Sequence, residues 1–365
     1  LWREPVPFDL SASYGPSLAA TSSNLWLCTP YGVWRGPLTS TNIDLTGDVL
    51  EISLQEEPEG GAATIVLRND DGRYNNVGSG AYASLRKGSE VRISPGYVTS
   101  AGQEVSQGPA CWIEGWEHGS GAGRATFVLF AQSAWRLLST WWARRQYTWN
   151  AGTVTVADML ESILARGGLE LDTAGASSDA TTLTPAFTVH PGESGASAVR
   201  RLLAKVPDAL VFQGHQGSLV HPQASDATNY VYGTDHPLLQ GRYSSRAQTF
   251  NRVQVFGSSA VGEAFAWDEV ARLFDRLLQV HDLSLATLQK AQNRASTALR
   301  EQLLASLDGE VTVPVNCSQE LYDVVEVTDA PAGLSSAKRR VLGLSLHLSR
   351  GPRPRYQHTI ILGGV

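Results

Sequence analysis

The sequence predicts a mainly β chain with an α+β insert, on three observations. Alternating or continuous apolar runs, separated by Gly, Pro, Ser and Asx segments, recur from Ile43 to about Leu138. Between Trp135 and Tyr243 the apolar period changes to steps of three and four. From Arg242 alternation returns, interrupted by one long helical stripe. Four segments follow: an N-terminal arm over 1–40, a first β domain over 41–137, an α/β insertion domain over 138–243, and a second β domain over 244–365 carrying a helix at about 283–307. At 365 residues, 42% apolar and 18% charged, the chain is long enough for two or three cores, and its composition is not that of a disordered protein.

In the arm, Asn24–Thr29 and Gly32–Arg35 around Pro30-Tyr31 read as a hairpin, and also look like the closing strands of one β-propeller blade. The chain opens at Leu1 without Met, which reads as a processed product or a piece of something longer. Strands are expected at Val49–Leu54, Ala62–Arg68, Glu90–Ser94, Cys111–Glu117 and Ala125–Phe130, at the spacing of a barrel or sandwich. Asn69-Asp70-Asp71-Gly72 ends the second of these in a tight turn. Thr155 with Asp158 three residues on is an N-cap for a helix through Met159, Leu160, Ile163 and Leu164 that stops at Gly167-Gly168. A second helix over Ser197–Val206 leads into a hairpin at Ala209–Phe212 and Gly217–Pro222. Strands return at Asn251–Gly257, Glu310–Val315, Asp323–Thr328, Val341–Leu348 and Tyr356–Leu362. The long helix carries the stripe Leu285, Leu288, Ala291, Ala295, Ala298/Leu299, Leu303 and Leu307, ends at Asp308-Gly309, and turns Gln289, Arg294, Arg300 and Glu301 toward water or a neighbour.

Several of these segments resemble the hub proteins of phage tail tips and baseplates, in the late-control protein D branch. The stretch Ala62–Val98 carries the strand ending N-x-D-G-R-Y, the L-R-x-G turn and the V-R-I strand; Cys111–Trp116 and Arg124–Leu129 resemble the closing hairpin of the first hub barrel. The helix followed by V-F-x-x-x-G-x-L-x-x-P resembles the insertion domain. The long helix with A-x-x-x-L-R, then G-x-V-x-V-P, V-V-x-V-T-D and R-x-V-L-G-L, resembles the second barrel. The resemblance implies two hub-type β-barrel domains flanking a small α/β domain, with the long helix inserted in the second barrel. It implies a virion protein of the tail tip or baseplate, a homotrimer whose six barrels form a pseudo-sixfold ring joining the tail tube to the tip. Its partners would be the distal tail or tail-tube protein, the tape-measure protein and a tip, spike or receptor-binding protein, with DNA passing only transiently through the lumen.

Residue chemistry points away from catalysis. The net charge of −6 argues against a protein that grips phosphates. Cys28, Cys111 and Cys317 show neither zinc nor disulfide spacing, and His190, His221 and His236 each precede Pro rather than forming a ligand set, so no metal or cofactor is expected. No run of about 18 apolar residues exists, so no membrane anchor is expected. Ser335-Ser336-Ala337-Lys338 matches S-x-x-K, but Pro331 and Gly333 place it in a loop, without the partners that nucleophile requires. Glu114 and Glu117 fall on opposite faces of a strand, unlike a glycosidase pair, and the Asn69–Gly72 turn lacks the spaced ligands of a Ca²⁺ loop.

One local enrichment stands out: Trp135, Trp141, Trp142, Tyr147 and Trp149 interleaved with Arg136, Arg144 and Arg145. Aromatic residues with Arg mark interfaces and sugar platforms. The candidate interface residues are therefore Trp135, Trp141, Trp142, Arg144, Arg145 and Trp149, joined by Arg294 and Arg300 on the long helix. Two functions compete: the structural hub, and a glycan-binding or glycan-hydrolysing module of a virion or cell-surface protein.

Overall fold

The computed structural model describes residues 9–13, 26–29, 32–35, 43–82, 85–100, 102–106, 108–245 and 248–365. The arm contributes β1 (Asp9–Ser13) and the antiparallel pair β2 (Trp26–Thr29) and β3 (Gly32–Arg35); Asn24, Leu25, Pro30 and Tyr31 of the expected hairpin lie outside the described residues. Then come β4 (Ile43–Asp44), β5 (Val49–Glu57), β6 (Gly60–Arg68) and β7 (Glu90–Ser94). A small hairpin, β8 (Gly96–Thr99) and β9 (Gly102–Val105), precedes a long one, β10 (Ala110–Gly121) and β11 (Arg124–Gln132).

The middle of the chain is mixed: α1 (Ala134–Thr140), β12 (Tyr147–Trp149), α2 (Val156–Arg166), β13 (Glu170–Asp172), α3 (Ser178–Thr182), β14 (Phe187–Val189), α4 (Gly195–Leu203), β15 (Ala209–Gln213) and β16 (Gln216–Val220). Thr155 caps α2 as expected: its hydroxyl accepts from the Asp158 amide, and the Asp158 carboxylate accepts from the Thr155 amide. Met159, Leu160, Ile163 and Leu164 of α2 pack with Ala198, Val199 and Leu202 of α4 in one core.

The last third holds β17 (Tyr230–Tyr232), β18 (Gln240–Ser245), β19 (Arg252–Phe256), β20 (Val261–Phe265), α5 (Trp267–Leu273), β21 (Leu277–His281), α6 (Leu288–Ser306), β22 (Leu307–Pro314), β23 (Val324–Asp329), β24 (Leu334–Ser349) and β25 (Arg355–Gly363). β22 starts where α6 ends, so Asp308-Gly309, expected to stop the helix, lies inside a strand. Ser335 and Lys338, expected in a loop, lie on β24; the turn at Pro331–Gly333 is complete before them.

The chain is mainly β, with a large, mostly antiparallel sheet. Thirteen strands form it, along the path β18-β22-β25-β24-β5-β6-β11-β10-β7-β1-β4, with β23 and β17 branching from β24. Among the described residues this path is open at both ends, so the pairing draws one shared sheet rather than two separate closed barrels. The seam is β5 against β24, where Ile52 faces Leu348 and Leu54 faces Leu346. All four side chains are at most 3% exposed and belong to one core with Ile65, Leu67, Phe127 and Leu129. Each contributes about 1.5–3 kcal/mol by burial, which explains why the two strand-rich regions join edge to edge.

Both regions close with the same irregular hairpin. In β10–β11 the register slips between Ile113 and Gly115; in β24–β25 it slips between Val341 and Gly343. One extra residue, Glu114 or Leu342, makes a bulge before a glycine in each, bending the strand at the corresponding place.

The expectation for β19 and the long helix is corrected. β19 is outside the large sheet and forms a three-stranded sheet of its own, order β20-β19-β21. Helix α6 starts at Leu288 rather than 283 and lays Ala291, Ala295, Ala298 and Leu299 on that small sheet, against Val253, Val255 and Ala264. Leu288, placed in the inward stripe by spacing, is 61% exposed because the helix begins there and the preceding turn buries Leu285 instead.

The N-x-D-G-R-Y segment is a structural lock. Gly72 adopts φ +70°, open to a residue without Cβ. The Asn69 side chain accepts from the Tyr74 amide at 2.9 Å and donates to Asn75 Oδ1 at 2.9 Å, and Asp70 Oδ1 accepts from the Ala125 amide. Tyr74, 1% exposed and stacked on Phe127, donates to Asp48 Oδ2 at 2.6 Å, where Arg73 also binds. Tyr74→Phe is expected to cost roughly 1–2 kcal/mol, because Asp48 keeps Arg73 but loses its buried donor; the urea midpoint measures it.

Candidate functional site

The Trp/Arg segment begins where β11 gives way to α1, and its side chains divide sharply by position. Trp135 is 4% exposed and meets Phe212 edge-on at 5.8 Å, with the Arg200 guanidinium 5.5 Å from its ring. Trp141 and Trp149 are half-buried against the same core. Trp141 lies beside Tyr147, on which Arg166 stacks at 4.1 Å; Trp149 lies beside Phe187. Trp142 is 58% exposed, and Arg144 and Arg145 are exposed beside it, with Arg145 5.2 Å from Tyr147. The segment thus serves mainly as the packing of the middle unit, and its outer surface is Trp142, Arg144 and Arg145.

Arg294 and Arg300, expected to face water or a neighbour, are half-buried within the chain. Burial holds both guanidiniums below their ordinary pKa, and Arg300 Nε donates to the Pro222 carbonyl at 3.0 Å. Trp135, Arg200, Arg300, Glu301 and Tyr322 line a cavity of about 330 Å³ where the middle unit, the β5–β6 turn and α6 meet. The reason is α6's position: standing on the small sheet, it turns its polar side toward the middle unit, and Lys205 pairs with Asp282 across the same boundary at 2.6 Å.

The open apolar surface lies elsewhere, on the small sheet. Val261, Trp267, Phe274 and Leu277 are 44, 66, 87 and 44% exposed. On the face away from α6, Trp267 stacks on Phe265 at 4.3 Å, and Arg252 lies over Phe265 while bound to Glu263 and Asp275. Sequence reasoning missed this face because Val261–Phe265 alternates like any half-buried strand. The aromatic pair Phe265 and Trp267, half-buried and exposed, was its local signal.

The remaining candidates do not converge. Glu114 is bound to Arg136 in a two-bond fork at 2.8 and 3.0 Å. Ser335 and Lys338 are exposed on β24. Among the described residues no group of three His, Cys, Asp or Glu is placed to hold a metal ion, and no helix is long and apolar enough to cross a membrane.

A second cavity, of about 310 Å³, opens where β5, β15, β24, β25 and the 316–321 loop meet. One cross-strand row, Leu54–Leu346–His358, forms its floor, with Glu56, Glu320, Gln213, Asn316, Cys317 and Gln319 around it. His358 is 6% exposed and its Nδ1 has no partner; burial pushes its pKa down to about 4. Burial, reinforced by Glu320, pushes the Glu56 carboxyl up to about 7 from 4.5. Between those values the unfolded chain loses a proton that the folded chain keeps, so Glu56 makes stability fall as pH rises through that window. Glu56→Gln is expected to gain on wild type by on the order of 2 kcal/mol between pH 4.5 and 7.5, read from urea midpoints. His358 acts oppositely: its neutral form is favoured by folding, and that stability is lost as pH falls from 6.5 toward 4.

The fold that positions these surfaces, a largely antiparallel sheet shared by two strand-rich regions with mixed α/β units attached, is that of phage tail proteins. The chain is similar to the tail protein from Neisseria meningitidis MC58, at TM-score 0.66 and 12% identity over 89% of this chain and 93% of that one. It is also similar to the 43 kDa tail protein of prophage MuSo2 from Shewanella oneidensis, at TM-score 0.59 and 12% identity, covering 88% and 94%. A component of the E. coli type VI secretion system is similar at TM-score 0.54 and 13% identity, covering 87% and 74%. No family model and no curated sequence matches the chain.

Proposed function

We propose that this chain is a structural, non-catalytic component of a phage-type tail, the hub that joins the tail tube to the tip. One observation carries the reading: two strand-rich regions with the same bulged closing hairpin stand side by side in one sheet, inside a tail-protein fold. Two like β units per chain are what a threefold assembly needs to present six like units to a sixfold tube. In this reading three copies form a pseudo-sixfold ring at the tail tip or baseplate, with 41–137 and 244–365 contributing the two hub-type β domains and 138–243 the insertion. The tube protein, the tape-measure protein and a tip or receptor-binding protein flank it, and DNA crosses its lumen without being held.

Trp142, Arg144 and Arg145, with the open face of the small sheet, are the surfaces left for these partners. In the Trp segment only Trp142 is open, so that segment offers no row of rings on which a glycan could stack. Light scattering after size exclusion is expected to give three times the chain mass, with six lobes in electron-microscopy projections. A monomer that binds cell-wall glycan would overturn the reading.

A further inference from the structure

The cavity floored by Leu54, Leu346 and His358 is chemically one-sided. Glu56 and Glu320 line it, and no Lys or Arg does. His358 adds a buried nitrogen without a partner. In the tautomer that leaves Nδ1 its lone pair, the lining gathers three acceptor groups, of which Glu320 already accepts through Oε1 from Gln213 Nε2 at 2.7 Å, and it holds no cation. Burial first, and the Glu320 carboxylate after it, work against ionisation of Glu56, and a cation brought into the cavity would offset both. At about 310 Å³ the cavity sits at the small end of the range for ligand sites, about 300–1,000 Å³, so it suits a side chain or a short loop rather than an extended segment.

The complementary element is in the same chain, at the turn between β24 and β25. Ser349-Arg350-Gly351-Pro352-Arg353-Pro354-Arg355 carries three guanidiniums, all exposed, in a chain of net charge −6. No ion pair is formed by Arg350, Arg353 or Arg355 among the described residues. Two prolines limit the freedom the turn loses on docking. The turn does not fill the cavity of its own chain. From Leu346 in the floor, β24 runs on for four residues, about 13 Å, to Arg350, whose amide is tied to the Leu50 carbonyl at 2.9 Å. No residue of the turn lines the cavity, and all of 350–355 are exposed.

We propose that the Glu56/Glu320/His358 cavity receives an arginine of the 350–355 turn from a second copy of this chain. A guanidinium has five donors and no acceptor, the match for two carboxylates and an imidazole nitrogen. Turn and cavity are different surfaces, so each copy gives one and receives one. Such a head-to-tail contact builds a ring when the rotation closes. The inference rests on the ring reading and names the contact that closes it.

Two measurements test it. Reversing the turn with Arg350→Glu, Arg353→Glu and Arg355→Glu together is expected to raise the subunit dissociation constant at least 100-fold, while circular dichroism and melting of the subunit stay as in wild type. Treated with diamide as the two-electron oxidant, Arg353→Cys is expected to form a reductant-sensitive disulfide-linked oligomer through Cys317, which lines the cavity, and to lose it on Cys317→Ser. An unchanged oligomer mass in the triple variant, or no cross-link while the Arg353→Cys chain remains oligomeric, overturns the inference and leaves the ring reading standing. A wild-type chain that is monomeric at every concentration overturns both.

Discussion

Asp226→Ala is expected to destabilise the chain by roughly 2–4 kcal/mol, about twice the loss expected of Tyr74→Phe. Its partner, Arg340 on β24, is 1% exposed. Arg340 donates from Nη1 to the Tyr322 carbonyl at 2.8 Å, and from Nη2 to the Gln223 carbonyl at 2.8 Å and to Asp226 Oδ2 at 2.9 Å. Tyr322 has φ +68°, a left-handed conformation costly for a bulky residue, so Arg340 also holds a strained turn in place. Asp226 is the carboxylate that offsets both Arg340 and the neighbouring Arg300, whose guanidinium is held below its usual pKa first by burial and then by Arg340.

Removing Asp226 leaves two like charges facing each other with one of them fully buried. The cost is set below the 3–5 kcal/mol of a fully enclosed pair because the Asp226 side chain is 35% exposed and water recovers part of it. Asp226→Asn keeps an acceptor for Nη2 and is expected to lose less than the alanine variant. Urea midpoints at pH 7 for the two variants check the order; equal losses would mean that the hydrogen bond contributes nothing beyond the charge.

The sequence announces Arg340 poorly, and the reason is general. It stands in Lys338-Arg339-Arg340, a run that reads as a solvated strand end, and only the return of the chain at Gln223–Asp226 decides which of the three is enclosed. Local signals were legible where the physics is local. The Thr155–Asp158 capping box marks the start of α2, alternation marks β5, β6 and β11, and the Asx-Gly turn after Arg68 forms where it was expected. Sheet membership was not legible. Arg252–Phe256 alternates as well as any strand of the large sheet, yet it pairs in parallel with β21, a neighbour reached only after β20 and α5 have been traversed.

The same limit applies to the sites. Indole and guanidinium side chains cluster in cores and on interfaces alike, so the Trp135–Trp149 spacing could not separate the buried Trp135 from the open Trp142. The carboxylate cavity is assembled from stretches around residues 54, 106, 212, 318, 346 and 358, each unremarkable alone.

Gly262→Val is expected to be the most damaging change in the small-sheet unit, costing about 3 kcal/mol or more and unfolding that unit before the rest of the chain. A Cβ added at Gly262 on β20 would fall onto the backbone of Ala291 and Gln292 in α6, where no rotamer change can make room. Ala291 and Ala295, both fully buried, are small for the same reason: helix and sheet approach backbone to backbone. Ala295→Leu is expected to cost roughly 1–3 kcal/mol, because a side chain, unlike a backbone, has neighbours that can shift. Arg294→Leu, neutral if the residue faced water, is expected to change stability measurably, since burial already depresses the pKa of this guanidinium and its Nη1 has no hydrogen-bond partner. The unit's core of Val253, Val255, Ala264, Leu285 and the α6 stripe is separate from the core under the large sheet. Native-state hydrogen exchange on Gly262→Val should therefore lose protection across 251–302 while β5, β6 and β11 keep theirs. Uniform loss across both cores would show that the small sheet and the large one unfold as one body.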